Sequence, residues 1–427
     1  MKKIIITLFL LIAGLTFAAS LNNGNITIEV NGDGGVSLVE YDPVPGSNHI
    51  SLVNVNLYYD SSLHYMDYIA GVEKNYSEFA QRKMFTGYGS DSESNFYVYS
   101  VSYIEGSNSN LDQTLVYTMR KNTQLQMSYI VDSRVMQTET NDHGSFNSTS
   151  QTLMFDESSV FLGYAARLNG GQTTSHIFAG RDTVLNWLQS ASSTSIEEQN
   201  YENAAGAVNW GPPSAVDGTP QIVRTKLMVA SSNPEIQAMS SFSANTPVHV
   251  SDKLKIEIKA AKFTQKLTKV NKDKIKIKGR VNITEYGTAL DNLGNLDVSL
   301  MIGDYVAFVP DDGSQNNGKV KEKKLILKLN DGKGKRKLII KRKTIKGNKY
   351  LDYIFVSAKT DISGATMLTA NSPNGKDLDI MLPVTLVLTG NNSQDTEKGG
   401  QVWIIPNGVS LTYKKKNEKK ATGKLKK

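Results

Sequence analysis

Short segments in which apolar and polar residues alternate recur along almost the whole chain, and no other feature restricts the fold class as strongly. Side chains on a strand point to opposite faces in turn, so alternation marks a half-buried strand. Asn25–Val30 (NITIEV) alternates and then meets Asn31-Gly32-Asp33-Gly34-Gly35, a hairpin turn signal, before Val36–Val39 resumes the strand. Lys253–Lys259 (KLKIEIK) puts Leu254, Ile256 and Ile258 on one face and charges on the other, and Lys274–Lys278 (KIKIK) repeats the device with Ile275 and Ile277. Similar runs include Asn95–Ile104, Thr123–Val131, Gln221–Ala230, Asp297–Ile302, Lys324–Leu329, Lys337–Lys341, Tyr350–Ser357, Val384–Leu388 and Val409–Tyr413. Loops rich in Ser, Asn and Gly separate them at intervals of roughly ten residues, a spacing that favours sandwiches over βαβ units. The expected fold is all-β, with two β-sandwich-like domains of mainly antiparallel strands. One stretch departs from this: Asp182–Gln189 (DTVLNWLQ) has helical spacing and predicts a short helix with Asp182 as N-cap.

Charge divides the chain. Residues 1–250 carry 12 Lys+Arg and 23 Asp+Glu, whereas residues 251–427 carry 36 and 18, giving −11 and +18. Of the 36 basic residues in the second part, 33 are Lys. The break places an acidic, Tyr-rich sandwich at 21–245 and a Lys-rich sandwich at 251–413, joined through a segment holding Asn233-Pro234 and Thr246-Pro247. The composition of 414–427 reads as a disordered basic tail.

Residues 1–20 read as a signal peptide. Lys2 and Lys3 precede an apolar run from Ile4 to Leu15, and the small residues Ala18, Ala19 and Ser20 offer cleavage after Ala18 or Ser20. The run is shorter than the ~20 residues needed to span a bilayer, and no second one follows, so no membrane span is expected in the mature chain. The protein is expected to be exported, to the periplasm, the cell surface or the medium. With no cysteine, it has neither disulfides nor thiolate metal ligands.

Catalytic patterns are missing. The five histidines His49, His64, His143, His176 and His249 form no HxH or HExxH pair, so no metal site is expected from them. Asn141-Asp142-His143-Gly144 has the composition of a turn. Asp91-Ser92-Glu93 and Asp311-Asp312-Gly313 are the only candidates for Ca²⁺, and neither has the spacing of a known calcium loop. Eleven of the nineteen tyrosines fall between Tyr58 and Tyr129. Tyr97, Tyr99 and Tyr103 share parity, so they lie on one face of their strand, where exposed rings would stack on sugars or form a protein interface.

The lysines admit two readings: protection of exposed strand edges, or contact with an anionic partner. The candidate contacts are Lys274, Lys276, Lys278, Lys335, Arg336 and Lys337. Sequence-specific nucleic-acid readers rely on arginine forks and aromatic stacking, and arginine is scarce here, so no specific nucleic-acid partner is expected. The partner implied is an anionic cell-surface polysaccharide or lipopolysaccharide. Docking between the oppositely charged halves, within or between chains, is a further expectation.

Residues 274–309, with the Lys-rich strands after them and Met381–Thr389 (MLPVTLVLT), resemble the Lys-rich β modules at the C-termini of uncharacterised exported proteins from environmental bacteria. The resemblance covers about 251–427 and implies no activity. The expected function is therefore a non-catalytic, exported binding or attachment protein. The alternative is a secreted carbohydrate-active enzyme, of polysaccharide lyase or glycosidase type, with its site in the first domain.

Overall fold

The computed structural model describes residues 19–426 except 43–49, 77–81, 121–122, 134–142, 158–159, 199–203, 213, 217–218, 243–245, 251–255, 287–289, 291, 310–318, 332–333, 373–376 and 391–399. Most of it is strand, as the alternation requires, and the strands form three sheets.

The first sheet runs Ala19–Asn22, Ile26–Val30, Val36–Tyr41, Ile50–Tyr59, Thr123–Ser133, Ala204–Asn209, Ser175–Gly180, Ile196–Glu197 in spatial order. Ser62–His64 and Ser214–Val216 attach to it at the side. The second runs His143–Asn147, Thr152–Glu157, Val160–Leu168, Gln221–Ala230, Asn110–Met119, Phe96–Ile104, Arg82–Asp91, Met66–Tyr76. Val53, Val55, Leu57 and Tyr129 of the first sheet pack on Phe96, Val98, Leu115, Tyr117, Phe155 and Tyr164 of the second, which makes a sandwich core. Each such aliphatic or aromatic side chain contributes about 1.5–3 kcal/mol by leaving water.

The third sheet is built from later residues. Its order is Tyr305–Phe308, Leu296–Ile302, Asp377–Gly390, Val402–Asn417, Lys420–Leu425, Ile256–Gln265, Asp273–Asn282, Asn348–Thr360, Gly334–Ile345, Lys324–Asp331, Lys319–Lys321, and Val248–Val250 joins Val402–Asn417 in parallel. It folds over on itself. Val298, Leu300, Leu386 and Ile405 on the first leaf share a core with Phe263, Ile277, Leu338 and Phe355 on the second. Phe308 meets Phe355 edge-on at 6.0 Å across that gap.

The other side of the first leaf is also buried. Met301, Val306, Val387, Val402 and Ile404 pack on Met84, Tyr88, Tyr97, Tyr99, Val101 and Tyr103 from the outer face of the second sheet. The layers therefore stack in the order first sheet, second sheet, inner leaf, outer leaf, and the outer leaf alone turns one face entirely to solvent on the third-sheet side.

The expected helix forms at Arg181–Gln189, where Val184, Trp187 and Leu188 cover the outside of the first sheet. It starts one residue early: Gly180 is the N-cap, and Asp182 lies in the first turn instead of capping it.

The disordered tail expected at 414–427 is corrected. Lys420–Leu425 is a strand hydrogen-bonded between Val402–Asn417 and Ile256–Gln265. Its inward positions are small or apolar: Ala421 is fully buried, Gly423 sits under the Tyr413 ring, and Leu425 packs on the core. A Cβ at Gly423 would stand 2.6 Å from that ring. Lys415 is buried too, with its ammonium donating to the carbonyls of Ala370 and Ser372. Lysine content alone hid this alternation.

Candidate polyanion-binding face

The lysine pattern acquires geometry from strand register. In Asp273–Asn282, Ile275 and Ile277 are buried, while Lys274, Lys276 and Lys278 are exposed on the outer leaf. Cross-strand partners then extend each lysine into a row. Lys276 is opposite Lys262 on one side and Val356 on the other. Lys262 is opposite Lys424, Val356 is opposite Lys337, and Lys337 is opposite Lys328. The row Lys424–Lys262–Lys276–Val356–Lys337–Lys328 crosses six adjacent strands, about 24 Å at the usual strand spacing of about 4.8 Å. A parallel row contains Lys414, Thr422, Thr264, Lys274, Ala358, Lys335 and Asn330.

Among the described residues, no carboxylate stands between these eight lysines in either row; the second row ends at Lys414, with Asp377 opposite it on the next strand. Two further acids at the margins are engaged. Asp379, beside Thr412 at one end, pairs with Lys426, and Asp352 pairs with Arg280 and Lys343. The Arg280 guanidinium holds the Asp352 carboxyl down to about 2. Next to the rows, the sheet forms a trough of ≈ 850 Å³ whose lining includes Lys328, Lys335, Lys337, Val356 and Ala358 and also touches the largely buried Arg336. Val356 is 39% exposed there, an apolar floor between ammonium groups.

Arg336 does not belong to this face, which corrects the expectation for it. It is 5% exposed and points inward, because Lys335 and Lys337 take the outward positions on either side. Its guanidinium donates to the carbonyls of Val306 (3.2 Å) and Ala307 (2.7 Å), pairs with Asp331 and lies over Phe308. It fastens the two leaves together. In contrast, Lys262, Lys328, Lys414 and Lys424 complete the rows without having been singled out from sequence, since only register reveals them.

The tyrosine row does share one face, but that face is covered. Tyr97, Tyr99 and Tyr103 are 0%, 4% and 6% exposed, packed between the second sheet and the inner leaf. Burial pushes all three phenols above their usual range, Tyr99 to about 12. A solvent-facing platform for sugar rings is not what these residues make. They make an interior contact, and Tyr88 beside them donates to the Gly303 carbonyl at 3.1 Å.

The remaining candidates are dispersed. His64 stacks on Tyr59 at 3.7 Å, and His249 stacks on Trp403 at 5.4 Å and contacts Gln401. His176 lies 2.8 Å from Glu197 and 3.4 Å from the Ser195 hydroxyl, a set with triad composition. Ser195 and Glu197 are exposed, and the Ser195 oxygen already accepts the His176 backbone N–H, so the set pins Ile196–Glu197 to Ser175–Gly180. Asp91 is spent within the fold: it accepts from Tyr59 and from the backbone of Asn95 and Phe96. No cluster of three or more metal-ligating side chains occurs among the described residues. His49, Asn141, Asp142, the Asp311–Gly313 calcium candidate and residues 1–18 lie outside them. No described helix is long and apolar enough to cross a membrane.

No protein-family model and no curated protein matches this chain. Solved structures similar to parts of it include the following two. A bacterial glucoamylase complexed with acarbose shares 9% identity at a TM-score of 0.38 over 52% of this chain and 33% of its own. A putative aldose 1-epimerase from Escherichia coli K12 shares 6% at 0.28 over 50% of this chain and 99% of its own. The match thus spans about a third of the glucoamylase. Likeness this low carries no inference about activity.

Proposed function

We propose that this chain is an exported, non-catalytic attachment protein that holds an acidic polysaccharide of the cell envelope on the outer leaf of its third sheet. One observation carries the reading: eight lysines lie in two cross-strand rows with no acid between them. Edge protection does not account for this arrangement. Asp273–Asn282 is an interior strand, hydrogen-bonded on both sides, so Lys274, Lys276 and Lys278 guard no edge. Lys319 and Lys321, on the terminal strand, are where that device applies.

Like charges directly opposite one another destabilise a sheet, and an anionic chain laid along the row would relieve that repulsion. Lysine is a flexible point charge rather than a rigid fork, which suits a repetitive anion better than one defined epitope. Export rests on residues 1–20. Cleavage after Ala18 would leave the strand Ala19–Asn22 whole, whereas cleavage after Ser20 would remove half of it.

The test is retention of the full mature chain on polyuronate, on heparin-type resin and on purified cell envelope. Five phosphate-like contacts on a flexible polyanion correspond to about a 100-fold loss of affinity between 50 and 200 mM salt. Replacing Lys262, Lys276, Lys328, Lys337 and Lys424 with Gln should abolish retention; undiminished retention refutes the proposal. Release of shortened or unsaturated glycan would favour the carbohydrate-active enzyme instead.

A further inference from the structure

A second basic site lies away from the lysine rows, on the outer face of the second sheet. Arg167 and Arg224 are direct cross-strand partners, so two guanidiniums share one spot on that face. Like charges so placed repel, and no carboxylate among the described residues pairs with either of them. The Nε of Arg167 is buried without an acceptor, and no described residue pairs with Arg224. The neighbouring cation is treated differently: Lys226 has Asp112 at 3.3 Å and the Ser241 carbonyl at 2.9 Å. Among the described residues, an acid thus stands one step along the face and none stands here.

The arginine pair opens into a cavity of ≈ 580 Å³, whose described lining contains no carboxylate. Pro220, Ile222, Phe242 and Val250 form apolar walls. The walls are held in place. Asn169 donates to Gln221 at 2.7 Å and accepts the Ile222 N–H at 2.9 Å, and Arg167 lies 5.1 Å over the Phe242 ring. The volume falls in the range of small-molecule sites.

We infer that this cavity binds a ring-sized organic carboxylate, with the carboxylate between Arg167 and Arg224 and the ring against Pro220 and Ile222. Guanidinium forks match carboxylate geometry in a way that ammonium groups do not, and the site uses the rare arginine where the outer leaf uses lysine. A bare inorganic anion fits less well, because it would leave the apolar walls of Pro220 and Ile222 uncovered.

The experiment is titration of the intact mature chain with glucuronate, galacturonate and benzoate, read by calorimetry and by ligand-detected NMR, with acetate, sulfate and methyl glucuronate ester as comparisons. Saturable binding is expected for at least one ring carboxylate and not for its neutral ester. Arg224→Gln should weaken it about 10- to 100-fold, and Arg224→Lys, which keeps the charge but loses the fork, should restore it only in part. Quintuple replacement of the outer-leaf lysines should leave it unchanged, so this site and the lysine rows fail independently. Absence of saturation by every ring carboxylate, equal binding of the ester, or unaltered affinity in a folded Arg167→Gln/Arg224→Gln variant would overturn the assignment.

Discussion

Lys262 sits between Lys424 and Lys276, and replacing it with Gln separates stability from binding. Each directly opposed like-charge pair costs about 0.2–1 kcal/mol. At ammonium separations near 7 Å in water, Coulomb's law gives about 0.6 kcal/mol per pair. Lys262→Gln removes two such pairs, Lys424/Lys262 and Lys262/Lys276, and should therefore stabilise the third sheet by about 1 kcal/mol at low ionic strength. For a cooperative unit of this size, that raises the melting temperature by about 2–4 °C. Scanning calorimetry in 10 mM and 1 M salt provides the check. At 1 M the screening length contracts to about 3 Å, so the gain should disappear. The same variant should hold polyuronate less tightly. A variant less stable than the parent would mean that Lys262 supports the sheet through its packing, and one equally stabilised at both salt concentrations would mean that the gain does not come from charge. The charge argument would then fail.

Four other outcomes follow from the packing. Deleting residues 414–427 should markedly lower stability in urea unfolding, because it strips the strand covering Phe263 and Tyr413; an unchanged midpoint would restore the disordered tail. Gly279→Ala should cost about 1–3 kcal/mol, since its Cβ would lie 2.4 Å from the buried Tyr353 ring. Because the Arg280 hydrogen bonds depress Asp352 to about 2, its contribution is complete above the unfolded carboxylate value and is lost as pH falls towards 2. Asp352→Asn should flatten that part of the stability profile between pH 4 and pH 2, measured by denaturant unfolding. If residues 1–18 are removed on export as proposed, N-terminal sequencing of the mature chain should begin at Ala19, and a start at Leu21 would contradict the integrity of the first strand.

Much of this architecture was legible, and the failures are local. Alternation identified Lys274–Lys278 as a half-buried strand, which the structure extends to Asp273–Asn282, and placed Tyr97, Tyr99 and Tyr103 on a shared face, both correctly. The same rule, applied residue by residue, separates Arg336 from Lys335 and Lys337 and turns Ala421, Gly423 and Leu425 inward. Grouping the basic residues by composition overrode it in both places. What covers the tyrosine face was not legible, because burial on the outside of one sheet depends on a leaf folded from residues some two hundred positions later. The lysine rows were hidden for a related reason. Lys262, Lys276, Lys337 and Lys424 become neighbours only through the registers of four separate strand pairings, and a slip of one residue in any pairing would turn that lysine into the core.

That dependence bears on what the rows are for. A general demand for solubility fixes the number of surface lysines, but it is indifferent to which of them stand opposite one another, and it is served better by acids interspersed between them. The outer leaf instead keeps its acids at the margins: Asp379 is held by Lys426, and Asp352 by Arg280 and Lys343. Among the described residues no acid is interposed between the lysines of either row, at a standing cost in repulsion. Segregation of this kind needs a compensating partner, and an extended anion lying across the strands supplies one charge per strand. An isolated anion cannot do so, which is why the lysine rows and the Arg167/Arg224 cavity should differ in ligand: affinity for the rows should rise with the length of the anionic chain, and affinity for the cavity should not. Oligouronates of increasing length, titrated against the intact chain and against the quintuple Lys→Gln variant, measure that difference directly. Length-independent binding to the intact chain would remove the case for the rows as a polyanion site.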